Sequence, residues 1–225
     1  MKYISVAVDG PAGAGKSSVS KAVAKSLGYT YIDTGAMYRA VALFAINNGI
    51  DAKNETEKLV SRLNEVEIDI KYTDEGQQIY LLGENVSKRI REEDVSVGAS
   101  NVAVIPEVRK KLVELQRKMA ESANVIMDGR DICSYVLPNA DVKIFLTASA
   151  ESRAKRRYDE LCEKGIECDF EKIKADMEDR NKNDSQRAVA PLKKADDAIL
   201  IDTTEYDFDG AVKLVKDLIL EKTEG

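Results

Sequence analysis

The chain has 225 residues, 44% hydrophobic and 33% charged, with 34 basic against 40 acidic side chains and a formal net charge of −6. A chain this long can bury a core without metal or disulfide staples, and its acidic balance excludes a broad nucleic-acid face, which needs basic surface to displace phosphate counterions. Histidine is absent, which removes His-based triads, His general bases and His-containing zinc sites and leaves the chemistry to Lys, Arg, Asp, Glu, hydroxyls and borrowed metal ions. Cys133, Cys162 and Cys168 are odd in number and form no C-x-x-C pair; they read as reduced thiols in or near the core. No apolar run approaches the roughly 20 residues of a membrane span, and the first nine residues lack a basic segment followed by a long apolar one. A cytoplasmic protein that binds neither membrane nor nucleic acid is expected.

Taken in chain order, a β-branched run at 3–8, a helical stretch at 16–27 and a short strand at 29–32 set up a βα alternation, which predicts a parallel sheet with helices on both faces. Helices are expected at 35–47, ending in an Asn-Asn-Gly stop, and at 55–63. The pattern then breaks: 66–72 and 78–82 alternate with period two around a Thr-Asp-Glu-Gly turn, the signature of a hairpin in a small antiparallel insertion. Residues 92–104 are ambiguous, whereas 106–121 form an amphipathic helix opened by proline. The βα rhythm resumes with strands 124–127 and 142–146 and helix 149–164. A charged helix at 170–181, a polar stretch at 183–191, a strand at 198–201 and a helix at 208–222 complete the chain. Five parallel-type strands should form one core, interrupted near 60–100 and 150–190 by inserted elements.

Gly10-Pro11-Ala12-Gly13-Ala14-Gly15-Lys16-Ser17 fits G-x-x-x-x-G-K-[ST], directly after a strand and before a helix. Backbone amides can cradle phosphate oxygens where no Cβ intervenes. Lys16 is suited to the β and γ phosphates, the Ser17 hydroxyl to Mg²⁺, and the helix N-terminus adds partial positive charge. Such a loop says what is bound and not what is done with it. A switch GTPase would carry a guanine-reading Asn-Lys-x-Asp segment after a strand, and the similar run Asn181–Asp184 follows a charged helix instead.

Three further constellations carry chemistry. Asp33 and Thr34 end the second strand and Arg39 follows in the next helix; Asp33 and Thr34 alone serve equally well as helix caps, but a guanidinium beside them suits bidentate phosphate binding. Asp128-Gly129-Arg130-Asp131 follows a buried strand, with Asp128 where an acid would orient Mg²⁺ through water; an Arg130–Asp131 ion pair is the ligand-free alternative. Arg153, Arg156 and Arg157 share one helix face, and Arg180, Asp184 and Arg187 bracket the second insertion. Two Arg-rich elements around a polar hinge suit a lid over a triphosphate.

Together with 105–109, 142–146 and 187–192, these motifs make the whole chain resemble the bacterial-type cytidylate kinases of the nucleoside monophosphate kinase group. The resemblance implies an α/β P-loop fold: an adenylate-kinase-like five-stranded parallel sheet with helices on both faces, a lid and an enlarged monophosphate-binding insertion holding a small antiparallel sheet. It implies one kinase domain over 1–225, with its core at 1–37, 105–150 and 192–225, the monophosphate region at about 38–104 and the lid at about 151–191. It implies transfer of the γ-phosphoryl group of ATP, with Mg²⁺, to CMP and dCMP by a monomer. ATP is then expected on residues 10–17 with Ser18, Arg153 and Arg157. Cytosine is expected on Ser100, Arg109 and Asp131, the CMP phosphate on Arg39 and Arg130, with Asp33, Thr34 and Gly129 beside them. Sugar and transferred phosphate fall to Arg180, Asp184 and Arg187, and catalysis to Lys16, Arg130, Arg180 and Arg187. A carboxylate at Asp131 accepts from the cytosine amino group and faces an acceptor in uracil, which should reject that base. Asn181 and Asn183 depart from the family pattern, where an acid and a second lid arginine are usual.

Overall fold

A computed structural model describes residues 3–73, 76–163, 165–187 and 189–224. Met1, Lys2, Asp74, Glu75, Lys164, Ala188 and Gly225 lie outside these residues, and with them the middle of the expected hairpin turn, the last residue of the expected helix 149–164 and one position of the 187–192 motif. The chain divides into two compact units, one formed by Met1–Tyr31 with Ala120–Gly225 and the other by the continuous segment Ile32–Met119.

The parallel sheet runs in the order β2-β6-β1-β7-β8, and the first unit holds β1 (Ser5–Asp9), β6 (Val125–Asp128), β7 (Val142–Thr147), β8 (Ile199–Asp202) and the first two residues of β2 (Thr30–Asp33). β1 pairs in parallel with β6 (Ser5 opposite Val125) and with β7 (Val6 opposite Val142), and β7 pairs with β8. These strands are almost continuously apolar because helices cover both faces of such a sheet. α1 (Lys16–Leu27) and α8 (Phe208–Glu224) supply part of that cover: Val19, Val23, Ala211, Val215 and Ile219 cluster with Val6, Val8, Ile126, Ile144 and Leu146. α6 (Ala150–Glu163) and α7 (Phe170–Ser185) follow β7. The expected polar stretch at 183–191 starts later than its composition suggests, because α7 continues through Asn183 and Asp184 to Ser185; Asp184 is buried and ion-paired there.

The second unit has its own apolar cluster, centred on α2 (Thr34–Asn47), where Met37, Val41, Leu43 and Phe44 meet Leu59, Ile79, Ile90, Val95 and Leu112. The helix expected at 55–63 is shorter, Thr56–Ser61, and passes at Arg62 into a 3₁₀ turn, Leu63–Glu65. The hairpin is β3 (Ile68–Thr73) against β4 (Gly76–Leu81), and a third strand, β5 (Glu84–Asn85), pairs with β4 through a tight turn in which Leu82 and Gly83 both take positive φ. The ambiguous segment resolves as α4 (Glu93–Val102), with Val95, Ala99 and Val102 buried at helical spacing and two acids in its first turn. α5 (Pro106–Ala120) closes the unit. Among the described residues no helix is long and apolar enough to cross a membrane.

Candidate active site

In the first unit the phosphate loop joins β1 to α1, and its backbone explains its glycines. A Cβ on Gly10, at φ +148°, would lie 1.9 Å from the Leu146 carbonyl oxygen of β7. Gly15 caps α1 in the left-handed region at φ 82°, and its carbonyl receives the Val19 N–H at 2.9 Å. Lys16 opens α1 as a buried residue whose Nζ donates to Pro11 O at 2.8 Å. Burial, then the neighbouring Arg130 guanidinium, push its ammonium well below the usual lysine range, against the pull of Asp128 and Asp9. An anion placed on the loop reverses that balance.

Asp128 ends β6 beside the loop: the Ser17 hydroxyl donates to its Oδ2 at 2.8 Å and the Tyr31 hydroxyl to its Oδ1 at 2.9 Å. Arg130 turns to α7, where its Nε donates to Asp184 Oδ2 at 2.9 Å, and Arg187 pairs with the other oxygen of the same carboxylate. The ligand-free alternative of an Arg130–Asp131 pair is therefore corrected; a buried acid on α7 takes that role. Asp131 is buried where β6 gives way to a π turn, Ile132–Val136. Arg153 is buried, its Nη1 donating to Ala12 O at 2.8 Å and its Nε to Ala148 O at 3.0 Å. Asn181 Oδ1 accepts the Ala12 N–H at 2.9 Å. Arg156 binds Thr203 and the Tyr206 carbonyl, while Arg157 lies in an exposed pair with Glu160 at 2.8 Å and Ser18 is exposed on α1.

One residue here escaped the sequence reading. Asp9, the last of β1, is fully buried and accepts the Ile132 and Cys133 N–H groups, each at 2.8 Å, so it caps the turn that carries Arg130 and Asp131. Burial raises its carboxyl to about 6, opposed by those two hydrogen bonds. Its only sequence signal is an acid at the end of an apolar strand.

The second unit carries the other named residues. Asp33 caps α2 by accepting the Ala36 N–H at 2.9 Å, and its Oδ2 lies 2.8 Å from Arg91 and 4.0 Å from Arg39. Burial works to raise its carboxyl, but Arg91 and Arg39 prevail and hold it below the usual range. Thr34 is buried as the first residue of α2, and Ser100 lies half-buried on α4. Arg109 on α5 is 2% exposed, donates to Ala103 O at 3.3 Å and lies 6.0 Å over the Tyr38 ring. Arg91 and Gln77 are the residues missed. Gln77 accepts the Asp33 N–H at 2.8 Å, and its buried Nε2 has no protein acceptor, an orphan donor of the kind found where a ligand oxygen belongs. Neither follows a motif; the hairpin and a 3₁₀ turn bring them to Asp33.

The model of the family described as "Cytidylate kinase" matches residues 6–221. The chain belongs to the cytidylate kinase family. It is 49% identical over 224 residues to the cytidylate kinase of Anoxybacillus flavithermus, covering 100% of this chain and 99% of that one. It is 50% identical over 218 residues to that of Caldicellulosiruptor saccharolyticus, covering 97% and 96%. Among solved structures, an uncharacterized protein from Eubacterium ventriosum matches with a TM-score of 0.52 at 16% identity, covering 98% of this chain and 99% of that one, a likeness of fold alone. Membership of the family makes this chain a kinase that uses ATP.

Proposed function

We propose that this enzyme transfers the γ-phosphoryl group of ATP to CMP and dCMP, giving ADP with CDP or dCDP, and that it does so as a cytoplasmic monomer. The observation that carries the reading is the Ser17–Asp128 contact beside the phosphate loop, in a chain whose full-length relatives are named cytidylate kinases. A hydroxyl and a carboxylate form an all-oxygen donor set suited to Mg²⁺, which commonly takes one or two protein groups and completes its shell with water and phosphate. Ser17 and Asp128 would hold the ion, which when bound supplies charge neutralisation at the β and γ oxygens.

The rest of the chemistry belongs to side chains. The attacking oxygen is on a phosphate already ionised at neutral pH, so no general base is required, which fits a chain without histidine. Lys16 and residues 10–17 with Ser18 bind the triphosphate, and Arg153 and Arg157 are assigned to the same nucleotide. Arg39 and Arg130 bind the acceptor phosphate beside Thr34 and Gly129. Arg180, Asp184 and Arg187 orient sugar and transferred phosphate. Charge spread over the transferring oxygens is met by Lys16, Arg130, Arg180 and Arg187, which act by alignment and electrostatics. Ser100, Arg109 and Asp131 read cytosine; Asp131 accepts from its amino group and would face an acceptor in uracil. Asp33 is assigned to the acceptor half as the anchor of Arg39 and Arg91.

The test is ADP release measured across CMP, dCMP, UMP, AMP and GMP. Turnover with CMP and dCMP well above the others is expected. Equal or greater turnover with UMP or a purine monophosphate would sink the cytosine assignment, and no release with any of them would sink the reaction.

A further inference from the structure

Cys133 is buried beneath the sheet, its thiol beside the Ala7 and Ile144 carbonyls. The other two cysteines depart from the expected core placement: Cys162 is exposed on the last turn of α6, and Cys168 is half-buried two residues before α7. The helix ends carry them outward, yet the sulfurs lie only 3.9 Å apart.

That proximity is built into the connection. Gly165, at φ +71°, closes α6: its N–H donates to Cys162 O at 2.9 Å and the Ile166 N–H to Leu161 O at 3.0 Å, the paired bonds of a Schellman cap. On the other side Asp169 caps α7 by accepting the Lys172 N–H at 2.8 Å. Tyr158 and Phe170 meet edge to face across the two helices at 6.0 Å and 75°. Two capped ends and a ring contact therefore hold the two sulfurs 3.9 Å apart, within reach of the approach to about 2.05 Å that a bond needs.

We propose that Cys162 and Cys168 form a thiol–disulfide exchange site that reacts with small-molecule disulfides and closes reversibly into an intramolecular bridge tying α6 to α7. The more exposed Cys162 thiolate attacks one sulfur of the incoming disulfide, whose S–S bond breaks and releases one small thiol. Cys168, as thiolate, then attacks the Cys162 sulfur, expelling the second small thiol. The protein loses two electrons and two protons, and the small disulfide gains both as two thiols. Around Cys168, burial and the hydrogen bond with Cys162 raise the thiol, Asp169 adds to this and Arg157 opposes it, so the half-buried sulfur suits the second, intramolecular step.

The experiment incubates the reduced full-length protein with oxidised glutathione, then unfolds, alkylates and weighs it. Of the three cysteines, only Cys133 is expected to remain alkylatable, the mass falling about 2 Da below that of the reduced protein carrying one alkyl group, with a proteolytic fragment joining positions 162 and 168, and full reversal by dithiothreitol. In Cys168→Ser, glutathione should stay attached at Cys162. Retention of three alkylatable thiols overturns the proposal, as does a glutathione adduct that persists in the unsubstituted protein or a bridge between two chains.

Discussion

The phosphate-loop unit and the Ile32–Met119 unit differ in how their charged groups are held. Around the loop, several charged and polar side chains are tied to backbone: Lys16 to Pro11 O, Arg153 to Ala12 O and Ala148 O, Asn181 to the Ala12 N–H, Asp9 to two amides, while Asp128 and Asp184 are held by other side chains. In the Ile32–Met119 unit the Asp33 carboxylate is held by the Arg91 and Arg39 guanidinium groups together with the Ala36 N–H, while Gln77 accepts from the Asp33 backbone N–H. Of these backbone ties only Lys16 to Pro11 O and Arg153 to Ala148 O are local in the chain; Asp9 reaches amides of Ile132 and Cys133, and Arg153 and Asn181 reach Ala12 from the far side of the sequence. The Asp33 cluster also draws on elements far apart in the chain, and an acid with two guanidinium neighbours tolerates the loss of one better.

That contrast orders the expected effects. Lys16→Ala removes the buried ammonium and should lower kcat by about 10³-fold, with a near-native circular dichroism spectrum and melting temperature; turnover close to that of the unsubstituted enzyme would end the electrostatic account of the loop. Asp9 gives the next effect. Its carboxyl is raised from 3.8 to about 6, so the folded state binds more protons between those values, and the Asp9 contribution to stability falls as pH rises through that window, on the order of 3 kcal/mol in all. Urea unfolding at pH 4 and pH 7 should show Asp9→Asn gaining on the unsubstituted protein at the higher pH, and parallel pH profiles would refute it. Asp131→Ala should raise KM for CMP about 30-fold, or ~2 kcal/mol, and KM for ATP far less; equal changes in both would place the carboxylate away from the base. Smallest is Arg91→Ala, because its side chain is 57% exposed against 7% for Asp33. About 1 kcal/mol of stability is expected to go, with KM for CMP rising severalfold. Since Asp33 is held below its usual range, the stability loss should be full above pH about 4 and shrink in acid as the carboxyl protonates. A fall in kcat as large as that of Lys16→Ala would erase the distinction between the two units.

Separation along the chain explains what could be read from the sequence alone. The phosphate loop, α1 and the strands of the parallel sheet follow from local pattern, since glycine spacing and β-branched runs determine them within a few residues. Asp128 and Arg130 were visible as an acid and a guanidinium closing a buried strand, but Arg130's partner, Asp184, sits 54 residues away on a helix that outruns its expected end. Gln77 and Arg91 were invisible for a related reason: nothing in a polar residue on a hairpin says that it will meet an amide 44 residues earlier. Composition misplaced Cys162 and Cys168, because the general burial of free cysteine carries no information about a connection between two helix caps.

The division into one continuous and one discontinuous unit bears on synthesis. Ile32–Met119 is a single uninterrupted segment with its own apolar cluster, so a ribosome delivers all of it before β6 exists. β1, by contrast, is made before that segment and must wait for Val125 and then Val142 before it has a neighbour on either side. During that interval the strand leading into the phosphate loop is an unpaired apolar edge on a nascent chain, the kind of surface that chaperones hold. The inserted unit is thus in a position to condense first, and the nucleotide-binding sheet to assemble last.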